Sequence, residues 1–363
     1  MSTKTSIRSE SMRPRPSANS STRPNPEYKT KTKSWEDIVK TLSLLAVLVT
    51  ATFFYGTSGA DAYTVYVSNE KGNSLTVIDS ETLQVLTTIP VGQRPRGIML
   101  TKDGKQVLIC ASDDDTVQVL DVASREIVAD LPSGPDPELL NIHPSGSPVY
   151  IANEDDNLLT IVDLETTKVL AEVQVGVEPE GVGISPDGKT VVVTSETTNM
   201  AHFIDTETFE ITDNVLVGAR PRFAEFTADG KHLWVSSEVA GTVSVIDTAT
   251  REVVKVIKFD VPGVQEIYLQ PVGVRVTKDG TKAFVALGPA NRVAVIDAKT
   301  YEVEDYLLVG KRVWQLAFTP DQKLLFATNG NSNDVSVIDV PSLKVVKSIP
   351  TGTAPWGVTI SQD

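Results

Sequence analysis

Residue types that hold zinc or a covalently bound haem are scarce in this sequence. Its 363 residues include one cysteine, Cys110, and three histidines, His143, His202 and His232. A single cysteine leaves no partner for a disulfide within the chain and forms no C-x-x-C-H motif. The three histidines fall in separate segments, whereas a zinc site needs several such ligands together. We therefore exclude a zinc site and covalent haem, and predict that Cys110, inside the apolar run "QVLICAS", is a buried and unreactive thiol.

Positive charge is scarce beyond the first sixty residues. Residues 63–363 contain 24 Lys and Arg against 42 Asp and Glu, a net charge of −18. A body of this charge repels nucleic acid and anionic lipid, which excludes both as partners. An acidic surface also keeps an exported protein soluble, so the net charge alone does not identify a function.

The apolar run "TLSLLAVLVTATFFY" (41–55) has 15 residues, fewer than the about 20 that a stable membrane span needs. It precedes "GTSGADA", in which residues 60–62 form an A-x-A cleavage signal. We predict that residues 1–40 are a disordered polar n-region and that residues 41–62 are an export signal cleaved after Ala62. An uncleaved signal anchor is the alternative. In a Gram-negative host either one places residues 63–363 in the periplasm.

Helical periodicity is absent, and a repeat of 42 residues takes its place. A Val-Ile-Asp element and its variants recur at intervals of 42, 42, 42, 42, 50 and 42 residues, and the long interval carries eight extra residues within 259–273. A Ser or Thr three residues after each Asp predicts a capped turn, so these acids are structural. The Asp residues are Asp79, Asp121, Asp163, Asp205, Asp247, Asp297 and Asp339.

Each repeat unit resolves into four strands, as in "GVGIS", "TVVVTS", "AHFID" and "FEITDNVLVG" of residues 180–218. Four-stranded antiparallel units at this period predict an all-β fold, a seven-bladed β-propeller over residues 63–363. The first unit begins with a second strand, "TVYVSN" (64–69), and the sequence ends in a first strand, "WGVTIS" (356–361). We predict that these strands pair, which closes the ring and removes its exposed edges.

The unit "VYVSNEKGNSLTVIDSETLQVLTTIPVGQRPRGIML" resembles the YVTN-family β-propeller repeat, and the resemblance covers residues 64–361. With seven units and an export signal, the chain is similar to the PQQ-dependent catabolism-associated β-propeller proteins. That resemblance implies a periplasmic protein that works beside quinoprotein alcohol oxidation, and we expect the protein to be a monomer. Its implied partner is a quinoprotein dehydrogenase or a transporter component, and it supplies no catalytic residues.

The loops from the fourth strand to the next first strand share one face of a propeller with the loops from second to third strand. Their side chains change from Arg to acid to Trp between blades, whereas residues needed only for folding would keep one type. The candidate ligand-binding residues at this mouth are Arg94, Arg96, Glu138, Glu180, Arg220, Arg222, Arg312, Trp314 and Trp356.

Three interpretations of the mouth remain open. The charges could neutralise one another on a solvated rim. The arginines could hold a planar anion such as PQQ, stacked on a tryptophan. The oxygen-rich second-to-third loops could hold a hard cation, Ca²⁺ or a lanthanide. The candidate metal ligands are Asp113, Asp114, Asp115, Glu154, Asp155 and Asp156.

The leading functional hypothesis is a non-enzymatic periplasmic binding or scaffold protein for PQQ-dependent alcohol catabolism, with its ligand or partner at the mouth. The alternative is a lactonase-like hydrolase or an oxidoreductase that uses Glu138 or Glu180. A structural surface-layer protein is the third hypothesis, and it would need no asymmetric mouth.

Overall fold

The computed structural model describes residues 63–361, which form a seven-bladed β-propeller of four-stranded antiparallel sheets. The fold predicted from the repeat is thus confirmed. The expectations for residues 1–40 and 41–62 lie outside the described residues. Among the residues described, the search for a helix that is long and apolar enough to span a membrane finds none.

The strands are numbered in chain order, and each sheet runs from the channel outward. The closing blade contains, from the channel outward, β28 (Pro355–Ile360), β1 (Thr64–Asn69), β2 (Ser74–Asp79) and β3 (Gln84–Pro90). The second blade contains β4 (Pro95–Leu100), β5 (Gln106–Ala111), β6 (Thr116–Asp121) and β7 (Glu126–Leu131). The third contains β8 (Pro137–Ile142), β9 (Val149–Asn153), β10 (Leu158–Asp163) and β11 (Lys168–Gln174). The fourth contains β12 (Pro179–Ile184), β13 (Thr190–Ser195), β14 (Met200–Asp205) and β15 (Ile211–Leu216). The fifth blade contains β16 (Pro221–Phe226), β17 (His232–Ser237), β18 (Thr242–Asp247) and β19 (Val253–Lys258). The sixth contains β20 (Pro271–Val276), β21 (Lys282–Leu287), β22 (Arg292–Asp297) and β23 (Val303–Leu308). The seventh contains β24 (Val313–Phe318), β25 (Leu324–Asn329), β26 (Asp334–Asp339) and β27 (Lys344–Pro350).

The ring closes as predicted, because the last strand pairs with the first. β28 lies antiparallel to β1, with Val358 opposite Val67 and Ile360 opposite Val65. The backbone N–H of Thr64 also donates to Ser361 Oγ at 2.8 Å. Strands from the two ends of the described chain therefore share one sheet, and β1 is paired on both sides.

The apolar core lies between neighbouring blades. One cluster joins Tyr66, Leu75 and Val77 of the closing blade to Ile98 and Val107 of the next. Inner strands are almost wholly buried, whereas the outer strands β3 and β27 are mostly exposed. Full burial of one such aliphatic side chain stabilises the fold by about 1.5–3 kcal/mol. Each blade is thus held mainly by the next one.

The recurrent Asp residues cap turns, as the spacing predicts. Asp79 Oδ1 accepts from the backbone N–H of Thr82 at 2.6 Å and from its hydroxyl at 2.8 Å. These hydrogen bonds lower the pKa of Asp79. All seven repeats make the backbone bond. Cys110 is buried, and burial raises the pKa of its thiol well above the usual value, in agreement with an unreactive role.

The eight extra residues precede the strand β20. They form a connection over 259–270 that includes one turn of 3-10 helix, Glu266–Tyr268. Phe259 and Leu269 anchor the connection in the core, while Ile267 and Tyr268 are exposed. Gln322, which replaces the turn glycine, takes the same left-handed conformation at φ 55°.

Candidate functional site

The mouth is shaped first by a β-bulge at the start of every inner strand. In all seven blades the pairing between first and second strand shifts register just after the opening residue, which is proline in six blades. A bulge re-aims the side chain that it contains. We call the seven second residues the strand ring. The strand ring consists of Arg96, Glu138, Glu180, Arg222, Val272, Trp314 and Trp356.

A second ring lies in the fourth-to-first loops, where one residue per blade has a left-handed backbone with φ between 33° and 58°. Its carbonyl accepts from the residue that follows the second strand of the same blade. In six blades its N–H donates to an Asn or Asp side chain 21 residues earlier. This loop ring consists of Arg94, Asp136, Glu178, Arg220, Gln270, Arg312 and Ala354.

Four glutamates complete the mouth. Each directly follows a second strand and donates its backbone N–H to a loop-ring carbonyl at 2.8–3.0 Å. Of these, only Glu154 is among the residues predicted from the sequence, as a candidate metal ligand, although all four keep the 42-residue register. These turn glutamates are Glu70, Glu154, Glu196 and Glu238.

On one side of the mouth, two arginines hold the carboxylate of Glu138. Arg96 Nη1 lies 2.8 Å from Glu138 Oε1, and Arg94 Nη2 lies 3.4 Å from the same atom. Arg94 also binds Asp136 and Asp113. The Glu138 side chain has no solvent exposure, so this ion pair is buried rather than part of a solvated rim. The solvated-rim interpretation is therefore wrong about burial, although it is right that the charges are paired.

On the other side, Arg222 is the centre of a second buried group. Arg222 binds Glu196, and its Nη2 lies 2.9 Å from Glu180 Oε1. Arg220 Nε lies 2.6 Å from Glu196 Oε2, and Arg312 Nη2 lies 2.7 Å from Glu238 Oε1. Burying an ion lowers the stability of a protein unless the ion is fully paired, so the fold tolerates this group only because its charges bind one another.

Some buried carboxylate oxygens of the mouth accept no hydrogen bond from the described residues. Glu138 Oε2 and both oxygens of Glu180 have no hydrogen-bond partner among the described residues, because Arg222 approaches Glu180 without the required alignment. Burial raises the pKa of Glu138 to about 8, although Arg96 opposes the shift. Burial also raises the pKa of Glu180 well above its usual value. The mouth thus contains two carboxyl groups that retain a proton more readily than ordinary glutamates.

The tryptophans lie below the charged groups. Trp356 is fully buried, and the Arg96 guanidinium covers its ring at 4.8 Å from the centroid. Arg312 lies 4.1 Å from the ring centroid of the half-buried Trp314. The stacking surfaces that the sequence analysis assigns to a ligand are therefore in contact with the protein's own arginines. Trp234, by contrast, lies in the core between blades.

The structure separates the predicted metal ligands. Asp113 binds Arg94, Asp114 accepts from the Gln93 backbone, and Asp115 supports the loop at Asp136. Asp155 and Asp156 are exposed. Glu154 alone joins other carboxylates, with oxygens of Asp136 and Glu138 in one group and of Glu178 and Glu196 in another.

Two cavities lie away from these rings. The channel below the mouth contains a cavity of about 100 Å³, lined by Met99, Phe223 and Gln315 among others. A wider cleft of about 740 Å³ lies on the opposite face, beside Lys102 and Ser145. The cleft has no comparable convergence of charged groups, so its size alone does not make it the candidate site.

Two family models match the sequence. The one described as a YNCE-like β-propeller matches residues 47–143, and the one described as a choice-of-anchor I domain matches residues 155–354, more than half of the chain. No curated protein matches the sequence.

Solved structures share the fold. Kuenenia stuttgartiensis hydrazine synthase aligns over 76% of this chain and 92% of its own, with a TM-score of 0.70 and 22% identity. A candidate 6-phosphogluconolactonase from Bacteroides fragilis aligns over 84% and 99%, with a TM-score of 0.70 and 18% identity. Dihydro-heme d1 dehydrogenase NirN aligns over 82% and 74%, with a TM-score of 0.63 and 16% identity. Identities this low show a common fold alone.

Proposed function

Because the chain belongs to the choice-of-anchor I domain family and folds as a seven-bladed propeller, we propose that it is a non-catalytic binding protein. It is exported to the periplasm and holds a ligand or a partner protein at its mouth. Its biological setting is PQQ-dependent alcohol oxidation, with a quinoprotein dehydrogenase or a transporter component as partner. The resemblance of its repeats to PQQ-associated propellers supports this setting.

One observation carries the proposal: the mouth buries charged groups that the repeat itself does not need. Val272 occupies the strand ring where Glu180 and Arg222 stand in other blades, and its blade forms the same four strands. Burying an unpaired carboxylate destabilises a protein, so a fold that retains such groups in one place is suited to bind something there. A purely structural propeller would have no use for them.

The test is calorimetric titration of the protein with PQQ, Ca²⁺ and La³⁺ in turn, followed by titration with a purified quinoprotein dehydrogenase. We expect at least one of these to bind with micromolar or better affinity. If the ligand is PQQ, Arg220→Gln should weaken binding, because Arg220 is the most exposed of the paired mouth arginines. Arg125→Gln, an exposed change in the β6–β7 turn, is the matched control. Failure of all four titrants to bind would overturn the proposal.

A second candidate function is hydrolysis, favoured by the pKa of about 8 that burial gives Glu138. A carboxyl group that titrates near the working pH can act as a general acid or base. The fold shared with a candidate lactonase adds weak support. This function predicts turnover of lactones that Glu138→Gln and Glu180→Gln each abolish, without loss of the folded state by circular dichroism. Unchanged turnover in both variants, or none in the parent protein, would exclude it.

A further inference from the structure

Five carboxyl groups from two neighbouring blades converge at the mouth. Oxygens of Asp136, Glu138 and Glu154 all lie within 4.8 Å of one another, and the same is true of Glu154, Glu178 and Glu196. Glu154 belongs to both groups. The loop ring, the strand ring and the turn glutamates each contribute to this set. We call these five residues the carboxylate cluster.

The cluster has more carboxyl groups than the surrounding arginines can pair with. Together with the adjacent Glu180 it contains six carboxyl groups, and four guanidiniums bind them. The four arginines are Arg94, Arg96, Arg220 and Arg222. All four also approach further carboxylates, at Asp113, Glu70 and Glu238. Carboxyl groups thus outnumber the guanidiniums that bind them by two, and no arginine of the described chain lies against Glu154 or Glu178.

A separate observation indicates a ligand in this place. Glu138 Oε2 is buried and has no hydrogen-bond partner among the described residues. The Glu138 side chain has no solvent exposure, so bulk water does not supply the missing donor. A buried carboxylate oxygen without a donor is costly, and a cation would satisfy it.

We propose that the carboxylate cluster is a binding site for one hard divalent cation of the Ca²⁺ class, with Glu154 as its central ligand. The proposal rests on the proposed function and names the ligand of the mouth. Ca²⁺ binds six to eight oxygens at about 2.3–2.6 Å, so two ligands on opposite sides of one ion lie about 4.8 Å apart. The spacing within each group of three therefore matches one such ion, and Glu154 belongs to both groups.

The ligand chemistry favours Ca²⁺ over other metals. The cluster offers only carboxylate oxygens, and no His or Cys lies within it, which disfavours zinc and copper. Mg²⁺ requires near-octahedral geometry and keeps several waters, whereas Ca²⁺ tolerates an irregular set of carboxylates. A lanthanide ion has similar size and ligand preference, and Tb³⁺ is therefore a suitable optical probe.

The experiment is titration of the chelator-treated protein with Ca²⁺, by calorimetry and by Tb³⁺ luminescence sensitised by the nearby tryptophans. Glu154→Gln should weaken binding by about tenfold or more, since even outer-shell groups cost 10–100-fold in metal affinity. The matched control is Glu165→Gln, an exposed change on the same blade at its opposite face, which should bind as the parent does. Asp155→Asn should also bind normally, because Asp155 lies outside the cluster.

Three outcomes would overturn the inference: no Ca²⁺ or Tb³⁺ binding, equal affinity in Glu154→Gln and the parent, or an equal loss in Asp155→Asn. Should Glu154→Gln fail to fold, Glu178→Gln provides the same test from the loop ring. Binding of PQQ or of a dehydrogenase to a protein that binds no cation would leave the proposed function intact and reject the cation site.

Discussion

At the residue scale, this propeller uses carboxyl groups in two opposite ways. The turn caps such as Asp79 accept several hydrogen bonds near the surface, which lower the pKa and favour the ion. At the mouth, Glu138 and Glu180 are buried, and desolvation raises their pKa. The caps therefore stabilise the fold above their unfolded pKa and lose that effect in acid. The mouth glutamates act in the reverse direction.

The first prediction concerns pH and Glu138. Its folded pKa of about 8 exceeds the usual 4.5, so the folded state holds a proton that the unfolded state releases between these values. The free energy of unfolding should fall as the pH rises from 5 to 8, with a slope of up to about 1.4 kcal/mol per pH unit from this group. Glu138→Gln should remove that slope. Denaturant unfolding in chelator at pH 5, 6.5 and 8 measures it.

The matched control for this measurement is Glu165→Gln, which removes an exposed charge and should keep the slope of the parent. A parent protein whose stability is flat or rises between pH 5 and 8, with no difference in Glu138→Gln, would show that Glu138 is ionised in the folded state.

The 42-residue register allowed the residues of the mouth to be identified from sequence, but it could not show how they pair. Equivalent positions Arg96, Glu138 and Glu180 follow from counting alone. Which carboxylate an arginine binds depends on rotamers and on distances between blades, and these do not follow from spacing. The burial of Trp356 beneath Arg96 could not be predicted from the sequence for the same reason. Asn73, whose side chain accepts from the backbone N–H of Arg94, keeps the register too, and its role could have been inferred.

At the scale of elements, the sequence determined the strands more closely than their pairing. "TVYVSN" and "TVVVTS" coincide with β1 and β13. The β-bulges were not predicted, because a bulge depends on how two strands register and leaves little trace in either one. Yet the bulges aim the strand ring into the mouth, so the geometry of the site depends on them.

A prediction at this scale concerns Gly97, next to Arg96 in the bulge of β4. A Cβ at this position would lie 2.5 Å from the carbonyl oxygen of Glu138 and 3.0 Å from Leu139 Cα. Gly97→Ala should therefore push β4 away from β8 and loosen the Arg96–Glu138 pair, at a cost of about 1–3 kcal/mol. Equilibrium unfolding in urea gives the cost.

Gly280→Ala is the control for the general cost of replacing a glycine. Its φ is +63°, and nothing lies within 4 Å of the added Cβ, so it reports backbone strain alone, at about 1–2 kcal/mol. The two variants should differ in pH dependence, because only Gly97→Ala disturbs the buried pair. If Gly97→Ala matches the parent in stability and pH slope, β4 and β8 are not as close as described.

At the scale of the whole molecule, closure of the ring makes the separate blades one cooperative unit. Each blade packs on two neighbours, and the closing blade is shared by the two ends of the described chain. The sequence predicted this arrangement because its first unit lacks an inner strand and its end supplies one. The insertion at 259–270 leaves the count of blades unchanged, since it lies between two complete sheets.

The last prediction tests closure directly. A chain that ends at Thr351 lacks β28, so β1 presents an unpaired edge and the adjoining core around Val67 and Phe326 opens to water. We expect this chain to unfold at lower denaturant, to lose a single cooperative transition, and to self-associate through the exposed edge. Gel filtration and circular dichroism measure these effects.

Addition of a synthetic peptide of residues 352–363 in trans distinguishes strand pairing from a general loss of stability. The peptide should restore the monomer and the single transition, because it can re-form the pairs of Val65 with Ile360 and Val67 with Val358. A peptide with Thr359→Pro lacks the backbone donor opposite Tyr66 and should fail to rescue. Since the mouth spans β28 through Trp356 and its contact with Arg96, any ligand bound there should dissociate from the truncated chain and rebind only with the intact peptide. A truncated chain that remains monomeric and unfolds as cooperatively as the parent would mean that the other six blades hold the ring without this strand.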